Sequence, residues 1–460
     1  MSTPDVSHST FQSCSRDLLK LAVPIVLIQI SLHMAGFVDT VLIGKVGELE
    51  LGATGLGSSL FFFTSLFGMG IVIGLDPVAS QAFGAERPRE ARVALWQGFY
   101  LGLAISVPLC FVYIGLGYAL ELAGVVPEVA EKAREYVIAR SPSIIPIVLI
   151  TAARSYLQAA HVTRPIIEAS IIANVVNFIA DWVLIYGDEG LLSLGLPAMG
   201  IEPQGVFGVG VASTVTAVIQ TWIMLRAVQK IPVPPGEGSV RALRKDLLKK
   251  IWVLGLPIGL HMLAEVGFFA LVQVLMGGLG SLATASHQAA LTLASLTFSA
   301  CLGVGMATSV QVGRGVGEND PDKVRYSSYA GILFGVGFMT ITATVMWIFP
   351  RELIALITPE PQVIEMGASL LVVAGFFQIV DAIQAITAGA LRGVARTRET
   401  FVVNLVGHWA VGLPVGCTLC YVLGFGPEGL WWGLTTGLAV VAVVLSFFVW
   451  RMVHTPLKSV

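Results

Sequence analysis

Apolar residues in this chain gather into long blocks, and short clusters of glycine, proline and charged residues separate one block from the next. Twelve blocks have about the 20 residues or more that a helix needs to cross a ~30 Å hydrocarbon core. They lie near 17–43, 52–82, 93–118, 131–155, 163–187, 205–228, 248–277, 284–313, 324–348, 364–391, 399–423 and 429–453. A helix satisfies its own backbone hydrogen bonds where no water is at hand. The pattern therefore predicts an all-α polytopic membrane protein of about twelve transmembrane helices. The longest interruption, KIPVPPGEGSVRALRKDLLKK at 230–250, joins Pro-Pro-Gly to a basic run and reads as a linker. The expected organisation is an N-lobe at 1–230 (spans one to six), a cytoplasmic linker at 231–247 and a C-lobe at 248–460 (spans seven to twelve).

The two halves repeat each other. LLKLAVPI around Pro24 parallels KIWVLGLPIGL around Pro257, an offset of 233 (257 − 24) that also brings Gly44 onto Gly277, Gly47 onto Gly280 and Leu49 onto Leu282. Near the other end, SYLQAAHVTRP matches AGALRGVARTRE, with Leu157 on Leu391, Thr163 on Thr397 and Arg164 on Arg398. Six spans per copy is an even number, so both copies enter the membrane the same way up. The expected relation is a parallel repeat, a pseudo-twofold along the membrane normal, with substrate in a cleft between two six-helix lobes.

Charge placement gives the orientation. About 22 of the 27 Lys and Arg fall on the side that also holds the termini, including Arg87, Arg89, Arg92, Arg241, Arg244, Lys323 and Arg396. By the positive-inside rule both termini are expected in the cytoplasm. Arg140 stands apart, midway along the fourth span.

Composition agrees with lipid exposure: 55% of residues are hydrophobic and 12% charged, with a mean hydropathy of +0.82. A net charge of −2 gives no field for nucleic acid. Fifty glycines suit close helix packing in a bilayer. The five cysteines are scattered, and Cys417 and Cys420 sit within an apolar run, so they read as packing residues. The polar first 20 residues lack the marks of a signal peptide. No Walker A, G-x-S-x-G, H-E-x-x-H or Cys/His metal spacing is present, which points away from an enzyme and from ATP as the energy source.

Against this apolar background four acids stand out at membrane depth: Asp39, Asp181, Glu265 and Asp381. An intramembrane carboxylate costs roughly 2.5–3.5 kcal/mol on insertion scales, so each marks an ion or proton pathway by default. Asn177 and Asp181, four apart, share a helix face, as do His261 and Glu265. Helix-to-helix polar contact is the competing reading, strongest for Asp181 beside Asn177. Asp76, ahead of Pro77, reads as a structural residue near a kink, and His33 and His408 as packing residues. At the repeat offset none of the four acids falls on another: Asp39 meets Val272, Asp181 meets Val415, Glu265 meets Leu32 and Asp381 meets Ile147. The scaffold is duplicated and its charges are not.

GFVDTVLIG in span one, ASQAFGAERPREAR after span two, A-S-H-Q at 285–288, the N-x-x-x-D-W-x-L-I-Y-G run ending at Gly187 and ALRGVARTR after span ten resemble the multidrug and toxic compound extrusion (MATE) family, in its NorM-type bacterial branch. The resemblance covers about residues 15–450. It implies an antiporter of the bacterial inner membrane that exports cationic, amphipathic drugs in exchange for H⁺ or Na⁺ by rocking-type alternating access. It further implies no cofactor, no obligate protein partner and a monomer in the lipid bilayer. On the matching positions Asp39 is a coupling residue, joined in the N-lobe by Asn177, Asp181 and Ser213 or Thr214. Glu265 and Asp381 match the C-lobe cation site, a possible Na⁺ site, with His261 one turn away. Gln288 matches a position that can face substrate, and Phe377, Ser213, Thr214 and His261 are expected to contact substrate with it. Many relatives carry a tyrosine where this chain has Phe377, one turn before Asp381, so a Na⁺ site of the familiar composition lacks one oxygen here.

Two neighbouring readings fit less well. A lipid-linked oligosaccharide flippase would crowd its N-terminal spans with arginines, where Arg140 is alone. A major-facilitator transporter carries a G-x-x-x-D-R-x-G-R type run where this chain reads GAERPREAR.

Overall fold

The computed structural model of the chain describes residues 9–193 and 195–456, without the side chains of 32–35 and 37. His33 thus lies outside the described side chains. Among the described residues the secondary structure is helical, with no strand. The first helix, α1, is Phe11–Gly44. Among the described residues, eleven helices after it are long and apolar enough to cross a membrane: α2 (Glu48–Gly84), α3 (Pro88–Tyr118), α4 (Pro127–Ala159), α5 (Arg164–Ser193), α6 (Gly205–Gln229), α7 (Lys245–Gly278), α8 (Ser281–Gly317), α9 (Pro321–Ile348), α10 (Pro361–Gly393), α11 (Thr397–Val422) and α12 (Gly426–Val453). Each predicted block lies in one helix, so the protein is a polytopic membrane protein of the expected class.

Several helices are interrupted where function or packing needs it. α2 breaks after Val72 and resumes at Leu75, and Asp76 sits in the first turn of the resumed segment, within the field of Arg392. In α4 a 3₁₀ turn at Ser141–Ser143 carries Pro142 and follows Arg140 directly. α11 holds two π-helical stretches, Val406–Gly412 and Thr418–Val422, on either side of Pro414. By contrast α1, α3 and α7 run on through Pro24, Pro108 and Pro257. In α5, Gly187 turns the chain at φ +59°, and a Cβ there would lie 2.4 Å from the carbonyl oxygen of Ile201, so only glycine fits.

The chain forms two compact units. Unit 1 comprises the described part of Met1–Gln29 together with Asp76–Arg87 and Leu260–Val460; unit 2 comprises Ile30–Leu75 and Pro88–Gly259. This partition does not follow the central connector. The start of α1 and the end of α2 fold with the C-terminal spans, and the connector and the start of α7 fold with the N-terminal ones.

Packing inside each unit explains the exchange. In unit 1, Leu18, Leu21, Ala22 and Ile25 of α1 are buried against Met306, Ala307 and Val310 of α8 and Ala330 of α9. The main core of that unit joins Phe268 and Met276 of α7, Leu370 and Phe377 of α10, and Trp431 and Leu434 of α12. In unit 2, a Cβ added at Gly255 of α7 would come within 1.7 Å of the carbonyl oxygen of Ile71, so the two backbones touch where glycine permits it. The later part of α1 places Leu42 and Ile43 against Tyr136, Ile185 and Val206 in unit 2.

The connector is fastened to α3 rather than loose. Arg89 donates to the carbonyl oxygens of Pro234, Glu237 and Gly238. Arg92, buried, donates to Val228 and Ile231 and to the hydroxyl of Tyr156. Gln97 donates to the carbonyl of Ala242 and accepts from the amide of Arg244, and the Tyr100 hydroxyl donates to the carbonyl of Arg241.

Candidate cation-coupling sites

Unit 2 collects Asp39, Asn177, Asp181 and Ser213 around a residue whose role the sequence left open. Asp39, near the end of α1, Asn177 and Asp181 are all buried. Asn177 donates to Asp181 Oδ2 at 2.6 Å, as their i, i+4 spacing on α5 requires. The carboxyl of Asp181 also lies within hydrogen-bonding reach of that of Asp39. Arg140 completes the cluster from α4: its Nη1 is 3.8 Å from Asp39 Oδ2 and donates to Ser213 Oγ of α6. Its guanidinium carbon stands 4.3 Å from the ring centre of Phe61 and 5.5 Å from that of Tyr136. Tyr136 in turn bonds Ser58 Oγ at 2.8 Å. So Asp39 has the buried arginine partner that would make it a structural ion pair, and it also has a second carboxyl beside it.

Thr214 does not join this cluster by hydrogen bonding. Its hydroxyl donates to the backbone carbonyls of Ala139 and Gly210, the usual outlet for a helical threonine.

Unit 1 holds the other two acids. His261 Nε2 lies 3.4 Å from Glu265 Oε2 on α7, with both side chains only partly exposed. Asp381 of α10 is buried and lies within the electrostatic field of Glu265. Among the described residues, neither Glu265 nor Asp381 forms an ion pair with an arginine or lysine. Phe377 is buried edge-on to Trp431 and Phe269, with ring centres 5.9 and 6.1 Å away. It is an aromatic packing residue there. Gln288, by contrast, is exposed on α8. Behind the acids, Gln378 ties α10 to α8 and α9, donating to Thr297 Oγ1 and accepting from Thr342 Oγ1.

No group of three His, Cys, Asp or Glu among the described residues is arranged to hold a metal ion. The residue missed from sequence is Arg140. Its one signal was its position, a cation at mid-span, and only the approach of α4 to α1 supplies its partner.

A duplicated bundle of apolar helices with carboxyls buried in each compact unit defines a membrane transporter scaffold. The chain belongs to the MatE family, whose model matches it twice, at residues 24–183 and 257–418, the same 233 apart (257 − 24) as the internal repeat. It is 32% identical over 446 residues to a multidrug resistance protein NorM of Aliivibrio fischeri, with 93% of each chain covered. It is 30% identical over 440 residues to a multidrug resistance protein MdtK of Photorhabdus laumondii, with 94% of each covered. Its fold superposes on a solved outward-facing conformation of a multidrug resistance MATE family transporter with a TM-score of 0.86 at 18% identity, covering 97% of both chains.

Proposed function

We propose that this protein is a multidrug efflux antiporter of the bacterial inner membrane, with both termini in the cytoplasm. It expels cationic, amphipathic compounds in exchange for H⁺ or Na⁺. The observation that carries the proposal is the pair Glu265 and Asp381, two acids inside the membrane-length helices α7 and α10 of the same unit, with no arginine or lysine paired to either among the described residues. Two such groups hold a mobile cation well, because an ionised carboxylate in low dielectric strongly favours a positive partner. Uptake of the coupling ion there lowers the affinity for a cationic drug and releases it as the two halves rock. Relatives named for multidrug resistance, similar over nearly the whole chain, support the substrate class. The flippase reading is weakened by the engagement of Arg140, the cation it would need for a diphosphate, with Asp39.

The test uses proteoliposomes loaded with a fluorescent cation, driven first by an imposed ΔpH and then by an imposed Na⁺ gradient. Wild type should accumulate the dye under one of the two. Glu265→Gln and Asp381→Asn should fall to the level of empty vesicles, and wild-type rates from either variant would end the proposal.

A further inference from the structure

The unit 2 cluster contains its own cation. Two carboxyls, Asp39 and Asp181, stand together, and the Arg140 guanidinium faces one of them across 3.8 Å. Among the described residues, the titratable groups around it are Asp39 from α1, Asp181 from α5, Tyr136 from α4 itself and Tyr113 from α3. Phe61 of α2 and Ser213 of α6 close the remaining sides. One oxygen of each carboxyl, Asp39 Oδ1 and Asp181 Oδ1, is buried without a donor, and Arg140 Nε is buried without an acceptor. An ionised carboxylate only accepts, so two carboxyls within hydrogen-bonding reach are complete when one of them holds a proton. Two negative charges, one fixed positive charge and room for one proton add up to neutrality.

A metal ion meets a different environment. Na⁺ needs several oxygens at once, and it would sit beside a guanidinium that cannot lose its charge. The aromatic faces of Phe61 and Tyr136 hold that guanidinium in place.

We propose that Arg140 is the specificity-determining residue of unit 2, its guanidinium filling the seat that an alkali cation would take, so that this cluster admits a proton and excludes Na⁺. Any Na⁺ taken up by the protein then binds in unit 1. The inference deepens the antiporter reading and rests on it for its biological meaning.

The experiment measures equilibrium binding of radioactive sodium to the purified full-length protein at alkaline pH, with Glu265→Gln and Asp381→Asn installed to remove the unit 1 acids. This protein should bind no sodium above the same protein carrying Asp39→Asn. Adding Arg140→Gln should create sodium binding about tenfold above that control, displaced by acid and lost again with Asp39→Asn. Arg140→Lys, which keeps the charge, should preserve the exclusion. Sodium binding that depends on Asp39 while Arg140 is in place overturns the proposal, and needs no variant at Arg140 to detect. So does the absence of sodium binding in a folded, monodisperse Arg140→Gln protein. Dye pumping by wild-type vesicles tests the antiporter reading separately, so either idea can fail without the other.

Discussion

In unit 2 the buried Asp39 faces an arginine that is always charged, whereas in unit 1 Glu265 faces a histidine and Asp381 has no fixed cation paired with it among the described residues. Both arrangements make a carboxyl tolerable at membrane depth, by opposite means. A permanent partner neutralises most of the charge and leaves little for an exchangeable ion to do. A titratable or absent partner leaves the charge to be met from outside. The lesson is that buried acids in one protein can differ in whether a neighbour carries a fixed charge, and that this sets what is left for an outside cation to meet. Under the antiporter proposal, unit 1 is the half whose acids can meet a cation from outside, and unit 2 the half whose acids already hold an internal one beside the proton they admit.

The largest expected effect falls on unit 1. Glu265→Gln or Asp381→Asn should reduce gradient-driven dye efflux by more than about tenfold while the protein remains folded, because each substitution preserves shape and removes the charge. Equal losses from Asn177→Ala would erase the contrast between the units.

Next comes the ion pair itself. Arg140→Ala should destabilise the detergent-solubilised protein by about 3–5 kcal/mol, the typical penalty for stranding one member of a buried pair. Thermal unfolding monitored by tryptophan fluorescence reads this directly. The double variant Asp39→Asn/Arg140→Ala should lose less than the sum of the single variants, and strict additivity would show that the two side chains are not coupled.

A smaller and more selective effect is expected from the donors. Asn177→Ala removes the hydrogen bond to Asp181 and should lower stability by about 1–3 kcal/mol. His261→Gln should instead alter the pH dependence of dye efflux with little change in unfolding temperature, since its Nε2 lies 3.4 Å from Glu265 Oε2 and is part of that carboxyl's immediate surroundings. A pH profile identical to wild type would remove His261 from the coupling site.

The smallest effect belongs to Phe377→Tyr. The added hydroxyl reaches toward the surroundings of Asp381 from one turn away and should strengthen sodium binding in unit 1 a fewfold. An unchanged sodium isotherm would mean that the hydroxyl points into the aromatic cluster of Trp431 and Phe269 instead.

Much of this was legible before any coordinates. Spans of an all-helical membrane protein are written in local hydropathy, so the block at 205–228 became a helix at Gly205–Gln229. The repeat was legible because packing positions such as Gly44 and Gly277 survive duplication. The acids were legible because an isolated charge in an apolar run has no local explanation. What was not legible depends on which helix lies beside which. Hydropathy is continuous across Gln29 and Ile30, yet the two fall in different compact units. Nothing local to Arg140 names Asp39 as its partner, a hundred residues away. The π-helical stretch Val406–Gly412 of α11 was likewise not legible, and it lies where Gly407 and Gly412 meet Gly437 of α12.

The fastening of the connector has an asymmetric consequence. Arg89, Arg92, Gln97 and Tyr100 bind the carbonyls and one amide of residues 228–244, so they recognise the path of that chain and not its side chains. The connector can therefore drift in sequence where its course is kept, except at Gly236, packed against Arg89, and at Arg241, which lies over the Trp96 ring of α3, while the four anchors on α3 cannot. Between homologous proteins, the clasp should outlast the strap that it holds.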